Sequence, residues 1–255
     1  MSQPRQLHVH LLPHLATPEA LRGGVAVVID VLRATTTIVQ ALASGCTAVH
    51  PVAEADEAKM LAKEIRQRRV LLGGERGGKL IPGFDLGNSP AEYTPDVCKG
   101  AELVFTTTNG TRALLHAAAA ERVLLAAITN FSAVCGLLVS EMRPIHLLCS
   151  GTAGEVALED TLLAGAFVEC FLDLDVELND GARIAWDCFE FHSAVLLEGL
   201  KCGKGGKQLL ELGYEEDIKA AAQVDKHFIV PELRRDPLRI EIGSFGVVRK
   251  RWPRS

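Results

Sequence analysis

Four stretches of this 255-residue chain carry carboxylates, arginines and small polar residues at the ends of apolar runs. Val25–Ile29 leads into Asp30-Val31-Leu32-Arg33-Ala34-Thr35, and Val70–Leu72 into Gly73-Gly74-Glu75-Arg76-Gly77-Gly78. Leu103–Phe105 leads into Thr106-Thr107-Thr108-Asn109-Gly110-Thr111-Arg112. Ile145–Cys149 leads into Ser150-Gly151-Thr152-Ala153-Gly154, with Glu159-Asp160 shortly after. In open α/β sheets, ligands lie beyond the carboxyl ends of the strands. Loops there that run into helix N-termini offer unpaired N–H groups and the positive end of a dipole, a setting for an anion.

The acids suggest a second ligand. Asp30 ends an apolar run, where a carboxylate is costly unless paired, hydrogen-bonded or metal-bound. Glu75 lies between glycine pairs, and Glu159-Asp160 opens a helical pattern, where acids commonly do no more than offset the dipole. Hard oxygens with no His/Cys cluster beside them suit Mg²⁺ better than zinc. Arg33 and Arg112 stand near helix starts, against the dipole, and a bound anion would account for both. Each piece also has an ordinary reading: Thr106–Thr111 as a capping run, the arginines as surface residues.

Familiar phosphate chemistries fail on single residues. Gly73-x-x-x-x-Gly78-Lys79 imitates a P-loop, but Leu80 replaces the Ser/Thr that meets Mg²⁺ and Pro82 stands where the helix should run. Asp30-Val31-Leu32 lacks the second acid of an aspartyl-phosphatase pair, and Glu155 stands where a cysteine phosphatase starting at Cys149 needs arginine. There is no Gly-x-Gly-x-x-Gly. His8, His10 and His146 are expected to be structural, while His192 could line a site or simply pack. The Lys201–Lys207 segment reads first as a solvated helix connection that could lend cations to an acidic ligand.

The elements that must position these residues alternate between apolar runs and amphipathic stretches. The expected strands are Leu7–Leu12, Val25–Asp30, Ala48–Val52, Val70–Gly73, Leu103–Thr106, Val123–Ala127 and Ile145–Cys149, with later pieces at Leu238–Ile242 and Phe245–Val248. Expected helices include Ala53–Arg68, Thr111–Ala120, Leu158–Leu174, Asp180–Leu200, Lys204–Leu212 and Glu215–Gln223. Most of the strands are continuously apolar, so both sheet faces should be covered. The expectation is a three-layer α/β fold: a mainly parallel or mixed sheet with helices on both faces and a helical C-terminal layer over about 155–230, all one domain.

Lys+Arg 27 against Asp+Glu 32 gives a net charge of -5, which disfavours a nucleic-acid binder. Seven scattered cysteines with no CxxC pair fit reduced thiols in a cytoplasm. Val123–Ser140 is uncharged, but Thr129-Asn130-Phe131-Ser132 breaks it as a strand-to-helix junction would, so no membrane span is expected.

The motifs Val28–Thr35, Gly73–Gly77, Phe84-Asp85-Leu86-Gly87-Asn88-Ser89-Pro90, Thr107–Arg112 and Cys149–Thr152 together resemble the 2-phosphosulfolactate phosphatase family. The resemblance is strong over the first two-thirds of the chain and continues through Glu159-Asp160. It implies a Mg²⁺-dependent hydrolase converting 2-phospho-3-sulfolactate to 3-sulfolactate and phosphate, a step of coenzyme M biosynthesis in methanogens. The substrate is small and anionic, and a homo-oligomer is the usual case. On that reading Asp30, Glu75 and one of Glu159 or Asp160 hold the metal, while Arg33, Arg76 and Arg112 clamp anionic groups. Thr35, Asn88, Ser89, Thr108, Asn109, Gly110, Thr111, Ser150 and Gly151 are the expected substrate and phosphate contacts. Asp30 has a second possible role as phosphoryl acceptor. The competing functions are an isomerase or lyase for a phosphorylated hydroxy-acid, and a non-catalytic binder of sulfonated or phosphorylated metabolites.

Overall fold

The computed structural model describes residues 5–66, 68–244 and 252–253. Among them eleven strands form one mixed sheet. In chain order the first six are β1 (Arg5–His10), β2 (Val25–Ile29), β3 (Ala48–Pro51), β4 (Val70–Arg76), β5 (Lys79–Leu80) and β6 (Glu102–Thr106). β7 (Arg122–Ala126), β8 (Ile145–Cys149), β9 (Val176–Leu178), β10 (Pro231–Arg235) and β11 (Leu238–Ile242) follow. Their order across the sheet is β5-β4-β6-β3-β11-β10-β7-β2-β8-β1-β9.

All seven apolar runs are strands, and so is Leu238–Ile242, whereas Phe245–Val248 lies outside the described residues. The sequence reading missed β5, β9 and β10. β9 is three residues long and β5 two, and β10 ends on exposed Arg234 and Arg235, so none has an apolar run to reveal it. The helix expected over Asp180–Leu200 is two helices, Asp180–His192 and Leu196–Cys202, joined by a 3-10 turn at Ser193–Val195. The other helices end short of the expected limits, as Ala55–Glu64, Gly110–Ala117, Leu158–Glu169, Lys204–Glu211 and Glu215–Ala221.

β2 is fully buried because each of its faces meets a different helical layer. Val25, Val27 and Ile29 join Phe131, Phe167 and Phe189 in one core, while Ala26 and Val28 join Ile38 and Leu114 in a second. A third, smaller core gathers Val52, Ala58, Phe84 and Val104. Helices therefore cover both faces, as expected from strands apolar throughout. Among the described residues no helix is long and apolar enough to cross a membrane. Among the described residues no cysteine is in a disulfide.

The sheet has two parallel blocks, β4-β6-β3 and β7-β2-β8-β1-β9, joined by the antiparallel hairpin β10–β11. By hydrogen-bond order these blocks run in opposite directions. Each seam with the hairpin has one registered Cα pair, Glu232 with Leu124 and Ile240 with Val49. Even so, Glu75 near the end of β4 and the segments that follow β2 and β6 line one cleft.

The helices Leu158–Glu169 and Asp180–His192 pack backbone to backbone, since a Cβ on Gly165 would lie 1.9 Å from the Ala185 carbonyl oxygen. Gly165→Ala should therefore destabilise the protein by about 1–3 kcal/mol. Thermal unfolding of the variant measures this, and an unchanged midpoint would contradict the close crossing.

Candidate active site

Asp30 follows β2, where the chain turns into the helix Ala34–Ala43. Its Oδ1 accepts the Ala34 N–H at 3.1 Å, and its backbone N–H donates to Thr35 Oγ1 at 3.1 Å. Thr35 Oγ1 in turn donates to the Asp30 carbonyl, so Thr35 caps this turn from a fully buried position. The Leu32–Arg33 peptide is cis. Arg33 is buried: Nη1 donates to Asp217 Oδ2 at 2.6 Å, Nη2 donates to the Gly78 carbonyl at 2.9 Å, and the guanidinium lies 4.5 Å from the Tyr214 ring centroid. Asp217 also accepts from Ser89 Oγ at 2.6 Å. Thus the anion that accounts for the burial of Arg33 is supplied by the chain itself, from 184 residues away.

Glu75, near the end of β4, ties two loops together. Its Oε1 accepts the Thr108 N–H at 2.7 Å, and its Oε2 accepts the Gly78 N–H at 2.7 Å and the Thr108 hydroxyl at 3.3 Å. Thr107 and Thr111 close the start of the next helix reciprocally, each hydroxyl accepting the other's N–H at 3.2 Å. Gly110 opens that helix against Asp30: a Cβ there would lie 2.5 Å from Asp30 Oδ2 and 2.5 Å from Ala34 Cβ. Only glycine allows the helix start to approach the carboxyl group this closely.

Asp160, in the first turn of Leu158–Glu169, fastens the ends of β2 and β8. Its Oδ1 accepts the Val31 N–H at 2.8 Å, and its Oδ2 accepts the Ser150 hydroxyl and the Gly151 N–H, both at 3.1 Å. Glu159 is only 1% exposed, yet its Oε2 has no hydrogen-bond partner. It faces the start of Lys204–Glu211, where a Cβ on Gly205 would stand 2.2 Å from Oε1. Burial, reinforced by the charge of Asp30, raises Glu159 to about 7. Burial raises Asp30 to about 6, against the Ala34 N–H, the Ser150 hydroxyl and Arg33, with Glu75 adding to the rise. Asp160 is pushed well above the usual carboxylate range by burial and by both of these neighbours.

A cleft beside Asp30 and Glu75 has a volume of roughly 170 Å³; Glu159 and Asp160 do not line it, and Glu159 lies behind its wall at Gly205. Of the expected residues, Asp30, Arg33, Glu75, Asn88, Thr108 and Asn109 line it, and Asn88 Oδ1 is buried without a partner. Thr35, Ser89, Gly110, Thr111, Ser150 and Gly151 stand behind it, bonded to the groups that do. Two expected clamps do not reach it. Arg76 donates to the carbonyls of Glu75 and Ala53 and to the Thr106 hydroxyl, and Arg112 is exposed, 3.5 Å from Glu54. Each satisfies its charge or its donors elsewhere. Sequence reasoning missed Asp217, Thr107, Thr152 and Gln208. Asp217 gave no signal, because an acid in the first turn of a helix needs no special explanation.

Among the described residues no three His, Cys, Asp or Glu side chains are arranged to hold a metal ion. The four expected acids divide instead by what they already bond. Glu75 and Asp160 have both oxygens occupied by N–H and O–H donors, whereas Glu159 Oε2 has no partner and Asp30, met by the Ala34 N–H and the Ser150 hydroxyl, is still raised by its burial. Two hard, repelling and incompletely bonded oxygen donors fit a divalent cation completed by water and ligand oxygens. The histidines form a separate stack, with His8 and His146 centroids 5.1 Å apart and His10 Nε2 3.2 Å from His146 Nδ1.

A carboxyl group whose folded pKa is raised binds its proton more tightly folded than unfolded. It stabilises the fold fully below its ordinary pKa and loses that contribution as pH rises through the folded value. In metal-free buffer, the melting temperature of the wild type relative to Asp30→Asn/Glu159→Gln should therefore fall as pH rises from 4.5 through about 7. A difference that is constant across this range would contradict the raised values.

A model of the family described as 2-phosphosulpholactate phosphatase matches residues 10–236. The chain is 44% identical over 215 residues to a protein of Symbiobacterium thermophilum, covering 84% of this chain and 92% of the relative. It is 42% identical over 214 residues to one from Caldanaerobacter subterraneus subsp. tengcongensis, covering 84% and 89%. With a protein of Carboxydothermus hydrogenoformans the identity is 36% over 236 residues, covering 91% and 97%. All three relatives are named as probable 2-phosphosulfolactate phosphatases. The motifs that build the cleft all fall inside the matched range, and the chain belongs to the 2-phosphosulpholactate phosphatase family.

Proposed function

We propose that this protein is a Mg²⁺-dependent phosphatase that hydrolyses 2-phospho-3-sulfolactate to 3-sulfolactate and inorganic phosphate. The observation that carries the reading is the contact between Asp30 and the glycine that opens the helix Gly110–Ala117. A helix start attracts an oxyanion and a carboxylate repels one. The two chemistries belong together when a cation lies between the acid and the phosphate.

On this reading Asp30 and Glu159 would hold the metal and Glu75 and Asp160 the loops; the unpartnered Glu159 Oε2 and the fully bonded Glu75 and Asp160 support that division. One or two carboxylates are the usual protein share of a Mg²⁺ site, with waters and phosphate oxygens supplying the rest. When bound, the ion supplies neutralisation of the phosphoryl oxygens as charge develops on them. Asn109 and the Gly110 N–H at the helix start would meet the phosphoryl group, with Thr108 beside them held by Glu75. Arg33 is held on two sides by Asp217 and the Gly78 carbonyl, so it meets an anion without reorganising. The oxygen of an attacking water bonds to phosphorus as the bond to the C2 oxygen breaks. That oxygen takes up a proton and leaves as the hydroxyl of 3-sulfolactate.

The expected outcome is phosphate release from 2-phospho-3-sulfolactate that requires Mg²⁺ and stops in EDTA. Asp30→Asn and Glu159→Gln should each lower kcat/KM by about 10²-fold or more. Arg112→Ala should stay within about twofold, as an exposed residue outside the cleft. Conversion of the substrate without phosphate release would instead identify an isomerase or lyase. Binding without turnover would identify a sensor.

A further inference from the structure

A shallower groove opens beside the cleft and shares Ala153 and Gln208 with it. Its other walls come from Lys204, Lys207 and Glu211, all on the helix Lys204–Glu211. Gly205 in the first turn of this helix lines the inner cleft, so the helix start faces the substrate space and its charged side chains stand at the rim. Gln208 reaches across the mouth, its Nε2 3.9 Å from where a Cβ on Gly78 would stand.

The charge balance of the inner cleft is unfavourable for a substrate with three anionic groups. Asp30 and Glu75 line it, and its one lining cation, Arg33, already meets Asp217 at 2.6 Å. Arg76 and Arg112 point elsewhere. A cation beside Asp30 and Glu159 answers the phosphoryl group and leaves the sulfonate unmatched. At the rim, Lys204 is paired with Glu155 at 2.9 Å, while exposed Lys207 forms no ion pair among the described residues. Glu211 is the opposing charge in the groove, one turn farther from the cleft than Lys207. The half of the helix nearest the cleft therefore presents a free ammonium, an amide and the positive dipole end to an incoming anion.

We infer that Lys207, with Gln208 beside it, recognises the sulfonate and makes the enzyme selective for sulfonated over unsulfonated 2-phospho acids. This rests on the phosphatase reading above. The ammonium supplies a charge-assisted contact to a sulfonate oxygen, and the amide of Gln208 donates to a second. An acid such as 2-phospholactate, with a methyl in place of the sulfomethyl group, gains nothing from either.

The test is steady-state phosphate release from 2-phospho-3-sulfolactate and from 2-phospholactate with Mg²⁺, for the wild type, Lys207→Met, Lys207→Arg and Gln208→Leu. Lys207→Met should lower kcat/KM for the sulfonated substrate by about 10–100-fold, mostly through KM, while 2-phospholactate changes by about twofold or less. Lys207→Arg should retain most of the preference, and Gln208→Leu should lose part of it. Inhibition by 3-sulfolactate should weaken in Lys207→Met in parallel. A wild type that hydrolyses both substrates, with a preference unchanged in Lys207→Met or with both substrates impaired equally, overturns this inference alone. A wild type that releases phosphate from neither overturns the phosphatase reading and the inference with it.

Discussion

Repulsion between buried carboxyl groups is the constraint around which this cleft is built. Asp30, Glu75, Glu159, Asp160 and Asp217 are all buried. A buried carboxylate must be hydrogen-bonded, paired or protonated, or must meet a cation. Glu75 is answered by the N–H groups of Gly78 and Thr108, Asp160 by those of Val31 and Gly151, and Asp217 by Arg33. These bonds also fix the loops after β2, β4, β6 and β8 relative to one another. Asp30 is answered only in part, and Glu159 is left with an orphaned oxygen. Of these two, Asp30 lines the cleft and Glu159 lies behind Gly205, which does.

The fold delivers this convergence in an unexpected way. Parallel α/β sheets ordinarily collect their loops on one edge by running all strands in the same sense. Here the hairpin β10–β11 reverses the sense between two parallel blocks, yet loops from both blocks line the same cleft. The helices Ala34–Ala43 and Gly110–Ala117 lie in the core between the blocks, and both begin at the cleft. Their N-termini are brought together at Gly110 and Ala34, which is why Gly110 has no room for a side chain.

Much of this was legible in the sequence, for physical reasons specific to each part. Strands buried on both faces betray themselves as unbroken apolar runs, so all seven runs identified are strands. The loop residues were legible because acids and glycines at strand ends have few packing explanations, and Asp30, Glu75, Thr108 and Asn109 do share one cleft. What could not be read depends on distant partners. Arg33 lines the cleft, but an anion beside it is Asp217 of the same chain, and the anion beside Arg112 is Glu54 on the surface. The same ambiguity applies to the acids: sequence groups Glu159 with Asp160, and only their hydrogen bonds separate a loop fastener from an open donor. β10, which carries the reversal of the sheet, is hidden because its outer residues are charged.

If Asp30 and Glu159 hold the metal as proposed, a cation bound to them lies beside the Thr108–Gly110 turn. Crystals grown with Mn²⁺ and inorganic phosphate test this directly through the anomalous signal of the metal. The expected result is one strong peak bonded to both Asp30 and Glu159, with phosphate beside it on the side of the turn. A peak bonded instead to Glu75 or Asp160, or lying outside the cleft altogether, would contradict it.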